Sequence, residues 1–199
     1  MNKHVHPPMV RRTTQAAEGL PRWRWSLDEL LRMVEAGILD SDEKIELIDG
    51  EIVPMSPKGR RHEVLADELA QFWAPRLPSE VKVSIERQFN LDPYTYTDPD
   101  LIVRPASIKS YDLRGDTVLL VVESADSSLD KDLGTKARLY ASFGVREYWV
   151  INARDKSTRM HRAPVGDAYT DIRDLPATET LTPLLVSQLA VRLADLDLA

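Results

Sequence analysis

Two apolar segments on either side of an amphipathic one constrain the fold of this chain most. The run TVLLVV (117–122) is continuously apolar, as strands covered on both faces of a sheet are. Residues 128–143 have the periodicity of a helix, and Gly144 stands where helices often end in a left-handed residue. A second apolar strand, EYWVI (147–151), follows. This order predicts a parallel βαβ unit with a right-handed crossover.

The N-terminal half carries two local signals. Ser26 and Glu29 form the pattern of a capping box, which predicts a helix that starts there and ends near Gly37. The segment IELIDGEIV (45–53) alternates around Asp49-Gly50, which predicts a β-hairpin with a type I′ turn. The chain therefore adds an N-terminal helix and hairpin to the βαβ unit.

Hydrophobic spacing predicts the remaining elements. A helix is expected over 62–76, because apolar residues recur there at helical intervals. Strands are expected over 81–91, which alternates, and over 101–103, which is short and apolar. The tail from about 164 onward is weakly patterned and is expected to hold a strand and a short helix. Together these elements predict an α/β fold of mixed α+β character.

Size and composition limit the class of protein. The chain has 199 residues, 43% hydrophobic and 29% charged, as ordinary globular domains have. We expect residues 1–22 to form an arm, because prolines punctuate them, and residues 23–199 to form one domain. No apolar run approaches the roughly 18 residues that span a bilayer, and no signal peptide is recognisable. The absence of cysteine excludes disulfides and suits a cytoplasmic protein.

The charge distribution leaves two readings open. A net charge of −6 argues against a protein that coats nucleic acid. Basic residues nevertheless gather early in the chain, including Lys58, Arg60 and Arg61 in one loop. This loop is either part of a solvated surface of mixed sign or a local patch that meets phosphate.

Two carboxylates are expected to converge at one edge of the sheet. Asp100 directly precedes the strand 101–103, and Glu123 directly follows the run 117–122. If these strands pair antiparallel, the start of the first lies beside the end of the second. Such a pair can share a proton or a hard cation such as Mg²⁺, which prefers oxygen ligands. The alternative is that both side chains simply face water at the strand ends.

Lys136 interrupts an apolar helical stripe. Leu129, Leu133, Lys136 and Tyr140 recur at spacings of four, three and four residues, so this lysine stands where an apolar residue is expected. The helix begins directly after Glu123, so its inner face should pass near that carboxylate. A lysine there either orients a water beside the carboxylates or extends its stem to solvent. Pairing with Asp132, one turn earlier, is the best structural alternative.

Several segments together resemble the putative restriction endonuclease family, a bacterial branch of the PD-(D/E)XK nuclease superfamily. They are PDLIV (99–103), VVES with the following ADSSLDKDLGTK (121–136), and YASFGVREYWVI (140–151). The hairpin and loop DGEIVPMSPKGRRH (49–62) are similar to the upstream part of the family. The resemblance covers about residues 26 to 195. It implies a restriction-endonuclease-like core, in which helices flank a mixed central sheet with a metal site at its edge.

The resemblance also implies roles for individual residues. Asp100 is similar to the motif aspartate, and Glu123 to the acidic residue of the second strand, so both would bind Mg²⁺ or Mn²⁺. The usual lysine two residues after that acid is replaced by Ala125, and in this family it is taken to have moved to the next helix, where Lys136 stands. His62 matches the family's histidine and is a candidate for proton transfer, phosphate contact or helix capping. The implied activity is phosphodiester hydrolysis in nucleic acid, with DNA as the expected substrate.

Alternatives from other functional classes stay open. The acidic net charge and the missing lysine at position 125 are also what an inactive DNA-binding module would show. A protein-interaction role on the same scaffold is a third reading, because fold does not fix function. A homodimer is compatible with the sequence, since nucleases that cut both strands often pair. Glu46, on the first hairpin strand, is a further candidate carboxylate unless strand pairing or surface exposure explains it.

Overall fold

The computed structural model describes residues 21–198, which form two compact units. The smaller unit comprises the described residues up to Met55 together with Asp92–Tyr96. The larger one comprises Ser56–Leu91 and the described residues from Thr97 onward. The expected arm, residues 1–22, lies outside the described residues except for its last two. A single domain over 23–199 stays a prediction.

The smaller unit confirms both N-terminal signals. Its helix α1 (Leu27–Glu35) begins at a capping box, in which Ser26 and Glu29 bond each other's backbone N–H groups. Strands β1 (Ile45–Ile48) and β2 (Glu51–Pro54) form the predicted hairpin. Its turn residues Asp49 and Gly50 have φ angles of 50° and 80°, as a type I′ turn requires. Leu30, Leu47 and Tyr96 form the buried core of this unit.

The chain then continues through the following elements. They are α2 (Arg60–Trp73), β3 (Val81–Ile85), β4 (Phe89–Asp92), β5 (Thr95–Thr97), β6 (Leu101–Pro105), β7 (Leu120–Ala125), α3 (Leu129–Lys131), α4 (Ala137–Ser142), β8 (Glu147–Asn152), β9 (Thr158–Val165), β10 (Ala168–Leu175), β11 (Thr180–Leu181) and β12 (Val191–Arg192). None of the helices within residues 21–198 has the length and apolar character needed to cross a bilayer.

A mixed six-stranded sheet forms the centre of the larger unit. Its strand order is β10-β9-β8-β7-β6-β3, in which only β7 and β8 are parallel neighbours. The helical segment of α3 and α4 connects those two strands, as the predicted βαβ unit requires. Leu65, Leu69 and Trp73 of α2 pack on one face of the sheet, and Ala137 and Tyr140 of α4 pack on the other. Helices therefore flank a mixed sheet, which confirms the predicted fold class.

The strand before Glu123 is placed differently from the prediction. It runs from Leu120 to Ala125 rather than over 117–122, so Glu123 lies inside it. The Thr117 hydroxyl bonds the backbone of Arg114 and holds residue 117 in a turn. At the other end, parallel pairing with β8 extends β7 through Ala125. Pairing with a neighbouring strand, which local hydropathy does not report, sets these bounds.

The predicted strand over 81–91 is wrong in its length. The structure divides it into β3 and β4, because Glu86 adopts a left-handed conformation with φ of 46°. The Glu86 N–H donates to the Asp100 carbonyl oxygen at 3.0 Å. The break therefore ties this turn to the start of β6, beside one of the candidate carboxylates.

The C-terminal part differs most from expectation. The segment beyond 158 forms a long hairpin, β9 and β10, which the sequence did not indicate. β9 buries Thr158, Met160 and His161, whereas Arg159 and Arg162 are partly exposed. β10 is an edge strand with mostly exposed side chains. The expected short helix is replaced by two 3₁₀ turns and a small two-stranded sheet of β11 and β12.

Candidate active site

Asp100 directly precedes β6, and Glu123 lies on the neighbouring strand β7. β6 and β7 pair antiparallel, with Leu101 opposite Val122, so Asp100 and Glu123 are the next residues of that register. The Ser124 N–H donates to Asp100 Oδ2 at 2.7 Å, which fixes the aspartate against the end of this ladder. The relative exposures of Asp100 and Glu123 are 2% and 4%. The antiparallel pairing that was assumed from the sequence is therefore present.

Asp100 is surrounded by hydrogen-bond donors on the side of α2. His62 Nε2 lies 2.8 Å from Asp100 Oδ2, and Lys58 Nζ lies 3.1 Å from Asp100 Oδ1. Lys58 Nζ also lies 2.8 Å from Glu86 Oε1, so one ammonium group joins two carboxylates. Buried carboxylates are stable as ions only when such donors surround them.

The donors around Asp100 keep it ionised. Burial by itself would raise the pKa of the Asp100 carboxyl, but the hydrogen bond and charge of His62, the Lys58 ammonium and the Ser124 N–H outweigh it and lower that pKa. Burial likewise opposes the charge of Lys58, yet Asp100 and Glu86 outweigh it and raise the lysine pKa. The carboxylate and the ammonium thus stabilise each other as ions.

Glu123 belongs to a second charged group, formed with side chains of the helical segment between β7 and β8. Lys136 Nζ donates to Glu123 Oε1 at 2.8 Å, and the Tyr140 hydroxyl donates to the same oxygen at 3.2 Å. Lys136 Nζ also lies 3.7 Å from Asp132 Oδ1. The side chains of Lys136 and Glu123 are each only 6% exposed, and that of Asp132 is 2% exposed. Lys136 therefore points at the acidic site and also contacts Asp132.

A π-helical turn carries two of these groups. The predicted regular helix over 128–143 is instead α3, a π turn over Asp132–Lys136, and α4. Asp132 and Lys136 are the first and last residues of the turn, and both are buried. π turns within helices occur frequently at functional sites. Here the turn coincides with the lysine that interrupts the apolar stripe.

His62 holds Asp100 in place and does not cap its helix. The N-cap of α2 is Gly59, three residues before His62. Because its contact with Asp100 is made through Nε2, the hydrogen must lie on that nitrogen when the ring is neutral. Nδ1 is buried and has no hydrogen-bond partner among residues 21–198. In this arrangement the imidazole is placed to position the carboxylate.

The donor set of the site suits a hard divalent cation. Two buried carboxylates and the main-chain carbonyl oxygens of β7 are oxygen ligands of the kind that Mg²⁺ and Mn²⁺ take. Each lysine is shared by two carboxylates, Lys58 by Asp100 and Glu86 and Lys136 by Glu123 and Asp132, so carboxylates outnumber lysines in these contacts. No cluster of three or more His, Asp or Glu side chains is arranged to hold a metal ion in the described part of the chain. A cation here would depend on Asp100, Glu123, main-chain oxygens and water.

Some contacts of the site were not anticipated. The sequence placed Lys58 among phosphate-binding residues, whereas the structure places its ammonium on Asp100. Tyr140 was noticed only as part of the apolar stripe, but its hydroxyl bonds Glu123 and Thr97. A tyrosine at a core position often has such a partner, so its hydroxyl was the available signal. Glu46 is fully buried on β1 in the smaller unit, so surface exposure does not explain it.

Comparison with known proteins identifies the family of this chain. No relative is found among the curated proteins. Among solved structures, a putative nuclease from Anabaena variabilis is similar, with a TM-score of 0.67 and 15% sequence identity over 85% of this chain and 96% of that chain. At that identity the likeness establishes the fold alone. The family model described as putative restriction endonuclease (Uma2) matches residues 27–196. Because that match spans most of its length, the chain belongs to the Uma2 family of putative restriction endonucleases.

Proposed function

We propose that this protein is a Mg²⁺- or Mn²⁺-dependent endonuclease that hydrolyses phosphodiester bonds in DNA, and that it works in the cytoplasm. One observation carries the proposal: two buried carboxylates, Asp100 and Glu123, adjoin across β6 and β7, and each binds a lysine ammonium. Membership of a family of putative restriction endonucleases supports the choice of phosphodiester as substrate.

The metal would be held by Asp100 and Glu123, with a main-chain carbonyl near Ser124 as a further ligand. When bound, it would offset the charge of the phosphate and acidify a water. In the reaction, the water loses a proton to solvent as its oxygen bonds to phosphorus, the bond from phosphorus to one sugar oxygen breaks, and that oxygen takes up a proton from solvent.

The surrounding residues have separate tasks in this proposal. Lys136 is held by Glu123 and Asp132, so its ammonium can orient the attacking water or stabilise the charge that develops on the phosphate. His62 fixes the orientation of Asp100 through Nε2. Lys58 supplies a positive charge beside Asp100 that a phosphate oxygen can share.

The test is cleavage of supercoiled plasmid with Mg²⁺ or Mn²⁺. We expect Asp100→Asn, Glu123→Gln and Lys136→Met each to lower the rate at least about 100-fold, the scale for losing one group that stabilises charge in the transition state. His62→Gln should lower it about 10- to 100-fold, as changes to groups that orient metal ligands do. Asp116→Asn removes an exposed carboxylate and is the matched control.

Metal binding gives a readout that does not depend on cleavage. Calorimetric titration with Mn²⁺ should show a site in the wild type that Glu123→Gln weakens and Asp116→Asn leaves intact. A wild type that cuts no DNA with either metal contradicts the proposal. So does cleavage that survives Asp100→Asn.

A DNA-binding module without catalysis is the second candidate. Ala125 stands buried in β7 where the superfamily has its lysine, and Lys136 is already paired with two carboxylates. This candidate predicts DNA binding that weakens steeply with salt, and no turnover with any divalent cation. Mn²⁺ binding that disappears in Glu123→Gln would count against it.

A further inference from the structure

A cavity of about 610 Å³ lies in the larger unit. Arg60 and Arg61 line it from the start of α2, and Arg154 and Lys156 line it from the turn between β8 and β9. Among the described lining residues, Asp126 contributes the only carboxylate. Arg61 directly precedes His62, and the charge of His62 acts on Asp126, so the cavity lies near the histidine that contacts Asp100.

The cavity carries an excess of positive charge that the described residues do not neutralise. Arg154 Nε contacts Asp126 Oδ1 at 2.6 Å, and that hydrogen bond, with the charges of Arg154 and Arg61, lowers the pKa of Asp126. Asp126 therefore stays ionised and neutralises the Arg154 guanidinium. Within residues 21–198, no ion pair engages Arg60 or Lys156. Uncompensated cations around a cavity attract an anion.

The two walls of the cavity are a hydrogen-bonded turn and the start of a helix. In the β8–β9 turn, Asn152 Oδ1 accepts the Arg154 N–H at 3.0 Å, and the Lys156 N–H donates to the Asn152 carbonyl oxygen at 2.7 Å. Lys156 adopts φ of 63°, a conformation usually taken by glycine or asparagine. On the other wall, α2 starts after Gly59, which has no side chain to cap the first-turn N–H groups. A helix start of this kind adds to the attraction for an anion.

We propose that this cavity binds phosphate groups of the nucleic acid backbone next to the bond that is cut. The inference rests on the proposed function and deepens it, because it assigns the strand path to Arg60, Arg61, Arg154 and Lys156. The volume exceeds what one inorganic phosphate fills and is within the usual range of ligand sites. The described lining offers four cationic side chains that suit contact with phosphate oxygens, and phosphate contacts do not depend on base sequence.

Lys156 is the residue that tests the proposal most cleanly. It lies outside the charged groups around Asp100 and Glu123, and its ammonium is not needed to hold the turn, which is tied by main-chain atoms. Lys156→Asn removes the charge and keeps a residue that tolerates the left-handed backbone. Lys82 is an exposed residue of β3 that does not line the cavity, so Lys82→Gln removes the same charge and is the matched control.

The experiment measures binding of a fluorescein-labelled DNA duplex by anisotropy, with EDTA present and NaCl varied between 50 and 200 mM. Lys156→Asn should weaken binding about three- to tenfold and make the slope of log affinity against log salt shallower by about 0.9, as loss of one phosphate contact does. Lys82→Gln should leave both unchanged. Arg60→Gln tests the opposite wall, and it carries the inference if Lys156→Asn fails to give a cooperative thermal melt.

A competition arm separates nucleic acid from free phosphate. The inference would be overturned if the protein bound pyrophosphate through Lys156 but did not bind the duplex. It would also be overturned if Lys156→Asn and Lys82→Gln changed the affinity for the duplex equally. Plasmid cleavage is scored separately. If DNA binding depends on Lys156 but no metal supports cleavage, the nuclease proposal fails while the phosphate site stands.

Discussion

The buried pair of Lys136 and Glu123 gives the most informative perturbation of the site. Lys136→Met keeps much of the side-chain volume but removes the ammonium that lies 2.8 Å from Glu123 and 3.7 Å from Asp132. Both side chains of the closer pair are only 6% exposed, so solvent screens it little. Removing one partner of a buried pair costs about 3–5 kcal/mol, against about 0–1 kcal/mol for an exposed pair.

The assay is thermal unfolding followed by circular dichroism at pH 7.5. For a chain of this length, each kcal/mol shifts Tm by about 2–4 °C, so Lys136→Met should lower Tm by roughly 6–20 °C. Arg138→Met removes an exposed charge from the same helical segment and is the matched control. It should change the free energy of unfolding by no more than about 0.5 kcal/mol.

A double-mutant cycle separates the ion pair from general packing. Glu123→Gln keeps an amide oxygen that can accept from Tyr140 but removes the charge. Because Lys136→Met and Glu123→Gln remove the same interaction, the double variant should be more stable than their added losses by about 0.5–3 kcal/mol. Additive losses, or a Tm shift for Lys136→Met no larger than that of Arg138→Met, would refute the pairing.

Two further predictions concern the core of the larger unit. Glu147 is fully buried and accepts hydrogen bonds from Arg162 at 2.6 Å and from the Trp149 indole at 2.8 Å. Arg162→Met should therefore lower the free energy of unfolding by about 3–5 kcal/mol, measured by denaturant unfolding with tryptophan fluorescence. A loss below about 1 kcal/mol contradicts this. Burial lowers the pKa of His161 below its usual 6.5, so below pH 6.5 the unfolded state binds more protons and stability falls. His161→Phe keeps a ring against Tyr148 and should reduce the drop in Tm between pH 7.5 and 5.5; an unchanged drop argues against this origin.

The sequence correctly predicted those elements whose conformation is set by residues a few positions apart in the chain. The capping box at Ser26 and the turn at Asp49-Gly50 are confirmed because each is determined within a few residues. Strands β7 and β8 were recognised because each contains a continuous run of apolar residues. The hairpin of β9 and β10 was missed, because arginines on its exposed faces interrupt the apolar pattern and tertiary pairing stabilises it.

The residues of the candidate site could be predicted from the sequence, whereas some of the side chains that contact them could not. The positions of Asp100 and Glu123 followed from strand order, and Lys136 followed from its place in an apolar stripe. That Lys58 would reach Asp100 depends on how the loop before α2 folds over β6, which no periodicity encodes. The roles of all these residues in catalysis stay predictions, and the variants described above test them.

The π turn over Asp132–Lys136 has a consequence for how this segment can vary. A π turn closes over one residue more than an α turn, so the number of residues between β7 and α4 sets where Lys136 meets Glu123. Gly134 would accept a Cβ without meeting any atom within 4 Å, and Thr135 is exposed. Gly134 and Thr135 can therefore vary in side chain, whereas the length of the turn is constrained, because losing one residue would rotate Lys136 away from Glu123.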